Sequence, residues 1–167
     1  SLIVDAAHPF AQGVHATVDA VSGELSLPVI RYEREFPLRD KRIIWCSSFD
    51  DAVGKLNNGK ITSLLALTGV NTIPKLRGYW SRKGNLCHFR VLDRDESREL
   101  AAEAGFPGNR LLYLKDEAIT LEGEKEFIAK ISPEAVITKE SGESGFFKEK
   151  VEAAFACGAK VFAVQRP

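Results

Sequence analysis

Ala135-Val136-Ile137-Thr138-Lys139-Glu140-Ser141-Gly142-Glu143-Ser144-Gly145-Phe146-Phe147-Lys148-Glu149-Lys150 is the stretch whose reading decides the fold. Ala135 to Ile137 are apolar and mostly β-branched, and too few to be anything but a short buried strand. Ser141, Gly142, Ser144 and Gly145 then let the backbone turn sharply and come close to a ligand. A helix follows from about Phe146 to Ala156. Its first four N–H groups lack helical partners and its dipole favours an anion. Lys139 and Lys150 add full charges near that end. The competing reading of the same loop is a tight turn with no ligand, because an isolated Ser/Gly match is a weak signal.

The unit strand–loop–helix repeats outward from this stretch. Towards the C-terminus, Gly158 stops the helix and Lys160 to Val164 forms a last strand. Towards the N-terminus lie strands at 111–114, 86–92, 63–67 and 43–46. The intervening helices are read at 121–131, 96–104, a short segment ending near Tyr79, and 49–56. Thr120 is expected to cap the first of these, with Glu124 reaching back as in a capping box. Asp93 or Asp95 is expected to cap the second, Asn71 or Thr72 the third, and Ser47 or Ser48 the fourth. Earlier still, Leu2 to Val4 reads as a buried strand, with a helix to about Leu25 whose first turn holds Pro9. Val14, Val18, Val21 and Leu25 keep helical spacing, and Val29 to Tyr32 is the next strand.

Strict β/α alternation with short apolar strands predicts an α/β fold of open parallel, Rossmann-like sheets with helices on both faces. The charged, aperiodic stretch from Glu33 to Arg42, which contains Pro37, separates two parts. The expected organisation is residues 1–36 as the remainder of an N-terminal domain, 37–42 as linker, and 43–167 as a complete C-terminal domain. The chain contains no methionine and opens directly in a strand-like run, so a preceding N-terminal portion of a longer protein is expected.

Composition narrows the function classes. The chain has 167 residues, 44% hydrophobic and 28% charged, as in a soluble globular protein. Lys+Arg and Asp+Glu are equal at 23 each, so no global basic field points to nucleic acid. No apolar run reaches the roughly 18 to 20 residues of a membrane span. Three dispersed cysteines, Cys46, Cys87 and Cys157, suggest a reducing cytoplasm and argue against a disulfide framework or a zinc site.

In open parallel sheets, ligands sit beyond the carboxyl ends of the strands. The residues falling there are Asp5 to Phe10, Arg31 to Arg34, Thr68-Gly69, Asp93-Arg94 and Lys139 to Gly145. The set is rich in cations and small-residue loops and lacks a nucleophile–base pair. No G-x-S-x-G and no Walker A motif is present. It suits the binding of anions and a flat polar ligand better than acyl transfer or hydrolysis. Two further classes stay open on the residues alone: a non-catalytic nucleotide- or phosphate-binding module, and a uroporphyrinogen synthase-like lyase.

Five ordered segments carry a resemblance. Asp5-Ala6-Ala7-His8-Pro9-Phe10-Ala11, Val29-Ile30-Arg31-Tyr32-Glu33-Arg34, Thr138-Lys139-Glu140-Ser141-Gly142, Gly145-Phe146 through Glu149 to Ala154, and Val161 to Pro167 are similar to segments of the precorrin-6A reductases of cobalamin biosynthesis. The fourth resembles the cobalt-containing, anaerobic branch. Two departures stand out: no glycine-rich G-G-T-x-E loop precedes the His-Pro-Phe segment, and 115–120 lacks the family's frequent G-P-F turn. The resemblance implies reduction of a carbon–carbon double bond of precorrin-6A or cobalt-precorrin-6A by NADH or NADPH. It implies His8 as a catalytic residue, and Lys139, Ser141, Gly142 and Gly145 as cofactor contacts. It implies Pro9, Phe10, Arg31, Tyr32, Arg34, Thr68 and Gly69 as contacts to a tetrapyrrole substrate. Any cobalt belongs to that substrate, so no metal-ligand set is expected.

Overall fold

The computed structural model describes residues 1–32, 39–114, 119–141 and 145–166. They separate into two compact units. One holds the residues up to Tyr32 together with Arg166, and the other runs from Arg39 to Gln165.

The smaller unit is one β/α/β turn of chain: β1 (Ile3–Asp5), α1 (Gln12–Leu25) and β2 (Val29–Arg31). The two strands pair in parallel, with Val4 opposite Ile30 and Asp5 opposite Arg31. Two expectations are corrected here. Pro9 does not begin the helix. It occupies the second position of a turn in which Ala11 N–H donates to the His8 carbonyl at 2.7 Å. Proline's fixed φ suits that position as well as a helix start. The strand read as buried is also largely exposed, with Leu2 at 51% and Val4 at 61%. A parallel strand is buried when layers cover both faces. Among the described residues of this unit one helix accompanies these two strands, and α1 has no buried residue of its own.

The larger unit contains β3 (Ile44–Cys46), α2 (Phe49–Asn58), β4 (Ser63–Ala66), α3 (Arg77–Trp80) and β5 (Leu86–Leu92). It continues with α4 (Asp95–Glu103), β6 (Leu111–Leu114), α5 (Leu121–Ile131), β7 (Ala135–Lys139), α6 (Phe147–Ala156) and β8 (Lys160–Val164). All six strands are parallel, in the order β3-β8-β7-β4-β5-β6. From β3 the chain advances to β4, β5 and β6, then returns to β7 and β8 on the near side of β4. Right-handed crossovers put α2, α3 and α4 on one face and α5 and α6 on the other. The contacts of α2 with α3, and of α5 with α6, agree with this. The α/β reading with helices on both faces therefore holds for this unit.

Burial explains why these short strands suffice. Leu64, Leu65, Ala66, Val136, Ile137 and Val161 are at most 1% exposed, so the central strands are apolar on both sides. On the α2–α4 face, Phe106 meets Trp80 and Phe89 edge-on, with ring centroids 5.2 and 5.0 Å apart. Capping follows sequence at two places. Ser48 accepts from Asp51 N–H at 3.1 Å and Thr120 from Gly123 N–H at 3.1 Å.

Other local expectations give way to tertiary contacts. Arg94, not an aspartate, precedes α4, and Asp95 is its first residue. Asp93 instead pairs with Arg98. Between β4 and α3 the chain makes two 3-10 turns without a side-chain cap. Glu124 does not complete a capping box. It is buried against the sheet and accepts two hydrogen bonds from Arg90 of β5, at 2.5 and 3.0 Å. The Arg90 guanidinium also lies over the Phe127 ring, 4.8 Å from its centroid. A bidentate partner inside the protein outweighs a local N–H at the surface.

Removing one member of such a pair leaves a buried charge uncompensated. Glu124→Ala is expected to lower stability by about 3–5 kcal/mol in denaturant unfolding. Replacing both members, as Arg90→Leu with Glu124→Leu, should recover most of that loss. Equal losses in the single and double variants would show that the pair contributes nothing specific.

Candidate functional site

β4 and β7 are neighbours, with Leu65 opposite Val136 and Ala66 opposite Ile137. Their continuations part: β4 leads to the α3 face and β7 to the α6 face. This is the point where strand order reverses, and in open parallel sheets ligands bind outside the carboxyl ends at such a point. Leu67 N–H still donates to the Ile137 carbonyl at 2.9 Å, so the strands stay paired up to the rim. Thr68-Gly69 and Lys139 to Ser141 then leave the sheet side by side. The structure thus brings together two groups of residues that are far apart in sequence.

Each side of the rim is built differently. On the β4 side, the Thr68 and Thr72 hydroxyls are 2.6 Å apart, and Thr72 donates to the Gly69 carbonyl at 2.7 Å. Thr68 is therefore the donor to Thr72. This buried pair fastens the turn, which Gly69 enters with φ +85°. An L side chain rarely adopts that angle, so glycine serves the turn itself. On the β7 side, Glu140 N–H donates to the Val164 carbonyl at 2.9 Å. The buried Glu140 carboxylate takes both donors of Arg39, at 3.0 and 2.9 Å. Arg39 also lies over Trp45, which stacks on Phe147. Glu140 is committed to structure.

Gly145 has a role that sequence did not reveal. A Cβ there would lie 2.1 Å from Ser141 Oγ, so the buried Ser141 side chain occupies the space of the missing one. Phe146, expected inside the helix, instead precedes it with φ +52° and is 37% exposed. It gives α6 no side-chain cap. Gly142 lies outside the described residues.

The electrostatics favour anions. Burial pushes the Lys139 ammonium below the usual lysine range, and the charge of Lys75 adds to this. Lys150 donates to the Gly145 carbonyl at 2.6 Å. Its pKa is pushed down to about 8, first by burial, then by Arg90, with Lys139 contributing. Glu124 and Glu149 act in the opposite sense. Desolvated cations that repel one another gain most from a bound anion. Sequence had marked Lys150 only as a nearby charge. Its place one helical turn into α6 puts its amine back beside the loop.

The smaller unit carries the remaining residues. His8 Nδ1 accepts the Phe10 N–H at 3.2 Å, and the two rings lie 5.7 Å apart. In the neutral ring the hydrogen then resides on Nε2. Asp5 is buried and accepts from Ala7 N–H at 3.1 Å and Arg31 Nε at 3.2 Å, with His15 Nδ1 at 2.6 Å. The His15 hydrogen bond, then Ala7 and Arg31, hold its carboxyl below the usual carboxylate range. Arg31 also reaches Asp19 at 3.1 Å. Tyr32 is exposed, and its N–H donates to the Asp5 carbonyl at 2.8 Å. Pro9 shapes the turn. Arg34 lies outside the described residues. His15, which belongs to none of the sequence motifs, contacts Asp5 and the His8 carbonyl and is a candidate that sequence reasoning passed over.

Among the described residues, no three of His, Cys, Asp and Glu gather as a metal site, and no helix is long and apolar enough to cross a membrane.

Comparison with known proteins agrees with this architecture. The chain is 29% identical over 167 residues to the cobalt-precorrin-6A reductase of Methanocaldococcus jannaschii, covering 99% of this chain and 64% of that one. It is 31% identical over 172 residues to the enzyme of the same name from Methanothermobacter thermautotrophicus, covering 99% and 54%. The chain thus spans between half and two thirds of the length of these relatives. A solved structure of CobK precorrin-6A reductase superposes with a TM-score of 0.78 at 20% identity, covering 100% of this chain and 65% of that one. All of residues 1–167 match a single family, and the chain belongs to it: Precorrin-6x reductase CbiJ/CobK.

Proposed function

We propose that this chain works in the reduction of a carbon–carbon double bond of precorrin-6A or cobalt-precorrin-6A, with NADH or NADPH as reductant. Membership of the family supports the reaction class. The observation that carries the reading further is the pairing of β4 with β7. It sets the residues read as substrate contacts, Thr68 and Gly69, beside those read as cofactor contacts, Lys139, Ser141 and Gly145. Hydride transfer requires its two partners to meet, and a shared rim provides for that.

The residues present suit such ligands. The nucleotide carries phosphates and the macrocycle carries carboxylates. Desolvated Lys139 and Lys150, the uncapped N-terminus of α6 and the small residues Ser141 and Gly145 suit negative oxygen atoms. A bound nicotinamide nucleotide would supply the hydride. The chain's own task is to bind, orient and manage a proton. His8 is the proposed catalytic residue: with Nδ1 accepting the Phe10 amide its Nε2–H donates a hydrogen bond, and transfer of a proton from Nε2 requires the imidazolium, in which Nδ1 releases that amide. Pro9 and Phe10 shape and flank that ring. Arg31 would exchange the exposed Asp19 for a substrate carboxylate, since an exposed ion pair is held weakly. Tyr32, Gly142 and Arg34 complete the proposed contacts. A cytoplasmic location is proposed from the free, dispersed cysteines.

The experiment is an anaerobic assay with each nucleotide and each form of the substrate. Oxidation of nucleotide that depends on the macrocycle supports the reading. Nucleotide binding without turnover would favour a plain binding module.

Lys139→Ala should weaken binding of the anionic ligand by about 1.5–3 kcal/mol, seen mainly in KM. Gly145→Val should do more, because its side chain collides with Ser141. Raised salt should reproduce part of the lysine loss and little of the valine loss. Wild-type KM and kcat in both variants would move the site elsewhere.

Lys150 gives a pH signature. Its folded pKa is about 8, below the ordinary lysine value of 10.5. A neighbouring anion favours the charged form, so the complex should hold more protons than the free protein. Binding should then strengthen as pH falls from about 9 to 7. Calorimetry at pH 8 in buffers of different ionisation enthalpy should show uptake of about half a proton. Lys150→Met should abolish this uptake, and unchanged uptake in that variant would exclude Lys150.

A further inference from the structure

The His15 ring sits between two acceptors. Its Nδ1 is 2.6 Å from Asp5 Oδ2, and its Nε2 is 3.3 Å from the carbonyl oxygen of His8. A neutral imidazole carries one hydrogen and one lone pair. Either neutral tautomer would therefore point a lone pair at an oxygen atom. Only the imidazolium donates at both ends. The 2.6 Å separation is short, as suits an N–H donating to a carboxylate in either state of the ring. The charges around the ring are consistent with the imidazolium. Asp5 from β1 faces it directly, and Arg31 from β2 shares that carboxylate and pairs with Asp19 of α1. Asp5, His15, Arg31 and Asp19 then sum to zero.

The second acceptor matters for function. The His8 carbonyl also takes the Ala11 N–H that closes the turn, and the His8 ring takes the Phe10 N–H of the same turn. A cation on that carbonyl fixes the peptide from which the His8 ring extends. We propose that His15 is a positioning residue, held as an imidazolium between Asp5 and the His8 carbonyl, which fixes the turn presenting His8. Its consequence for turnover rests on the proposed catalytic role of His8.

The test has a structural and a kinetic arm. With ¹⁵N-labelled histidine, both His15 ring nitrogens should carry hydrogens in the folded protein. Finding one bare nitrogen overturns the proposal. His15→Gln should shift the Phe10 amide resonance, and an unmoved resonance counts equally against it. Kinetically, His15→Gln should lower kcat about tenfold with KM within about twofold, less than direct removal of an acid–base group. His15→Arg keeps the cation at every pH. It should retain most of the activity, a rescue by charge that a merely structural role would not predict. His8→Ala separates the two readings. If it turns over normally, the His8 assignment fails and the nitrogen spectra alone decide the His15 proposal. If His8→Ala is slow while His15→Gln is not, His15 does not position the turn and the proposal falls.

Discussion

The larger unit depends on the parallel pairing of β4 with β7. Both strands are apolar on both sides, and both lie where helices cover the two faces. The pairing is long-range: Leu64 to Ala66 meets Ala135 to Ile137 only after the chain has built β5 and β6 on the far side. Reversal of direction at this pair sends α3 and α6 to opposite faces and sets Thr68-Gly69 beside Lys139 to Ser141. Without it, these loops would be two unrelated turns.

Charge at this rim is arranged by burial more than by composition. The chain is neutral overall, with 23 residues of each sign. Yet Lys139 and Lys150 are both desolvated and close enough to disfavour each other's charge. Two carboxylates of this region are paired with arginines: Glu140 with Arg39 and Glu124 with Arg90. The smaller unit gathers Asp5, His15, Arg31 and Asp19 into one network around buried Asp5, and the His15 ring carries that network to the His8 carbonyl.

The motif residues divide into those that would face a ligand and those that hold the frame. Thr68, Gly145 and Pro9 were read as contacts, and the structure gives each a definite internal task. Thr68 holds Thr72, Gly145 receives Ser141, and Pro9 turns the chain. A residue can serve both ends, and a substitution at any of these positions will disturb the frame along with the ligand. Lys150 likewise serves both ends, since its amine donates to the Gly145 carbonyl.

Sequence by itself determined the elements and their class. Strands 86–92, 111–114 and 160–164 and helix 121–131 fall where periodicity and turn residues put them, because these signals are local. It also determined which loops end strands, hence which residues are eligible for a site. Tertiary structure decided the rest. Strand order is a matter of non-local burial, so nothing in either segment marks β4 and β7 as neighbours. Glu124 matched a local capping pattern, but a buried arginine on another strand was the stronger partner. His15 carried no motif of its own, and its importance arises only when the turn folds back to put Asp5 and the His8 carbonyl at its two nitrogens. Local chemistry is written in adjacent residues, whereas competition for partners is settled only when distant residues meet.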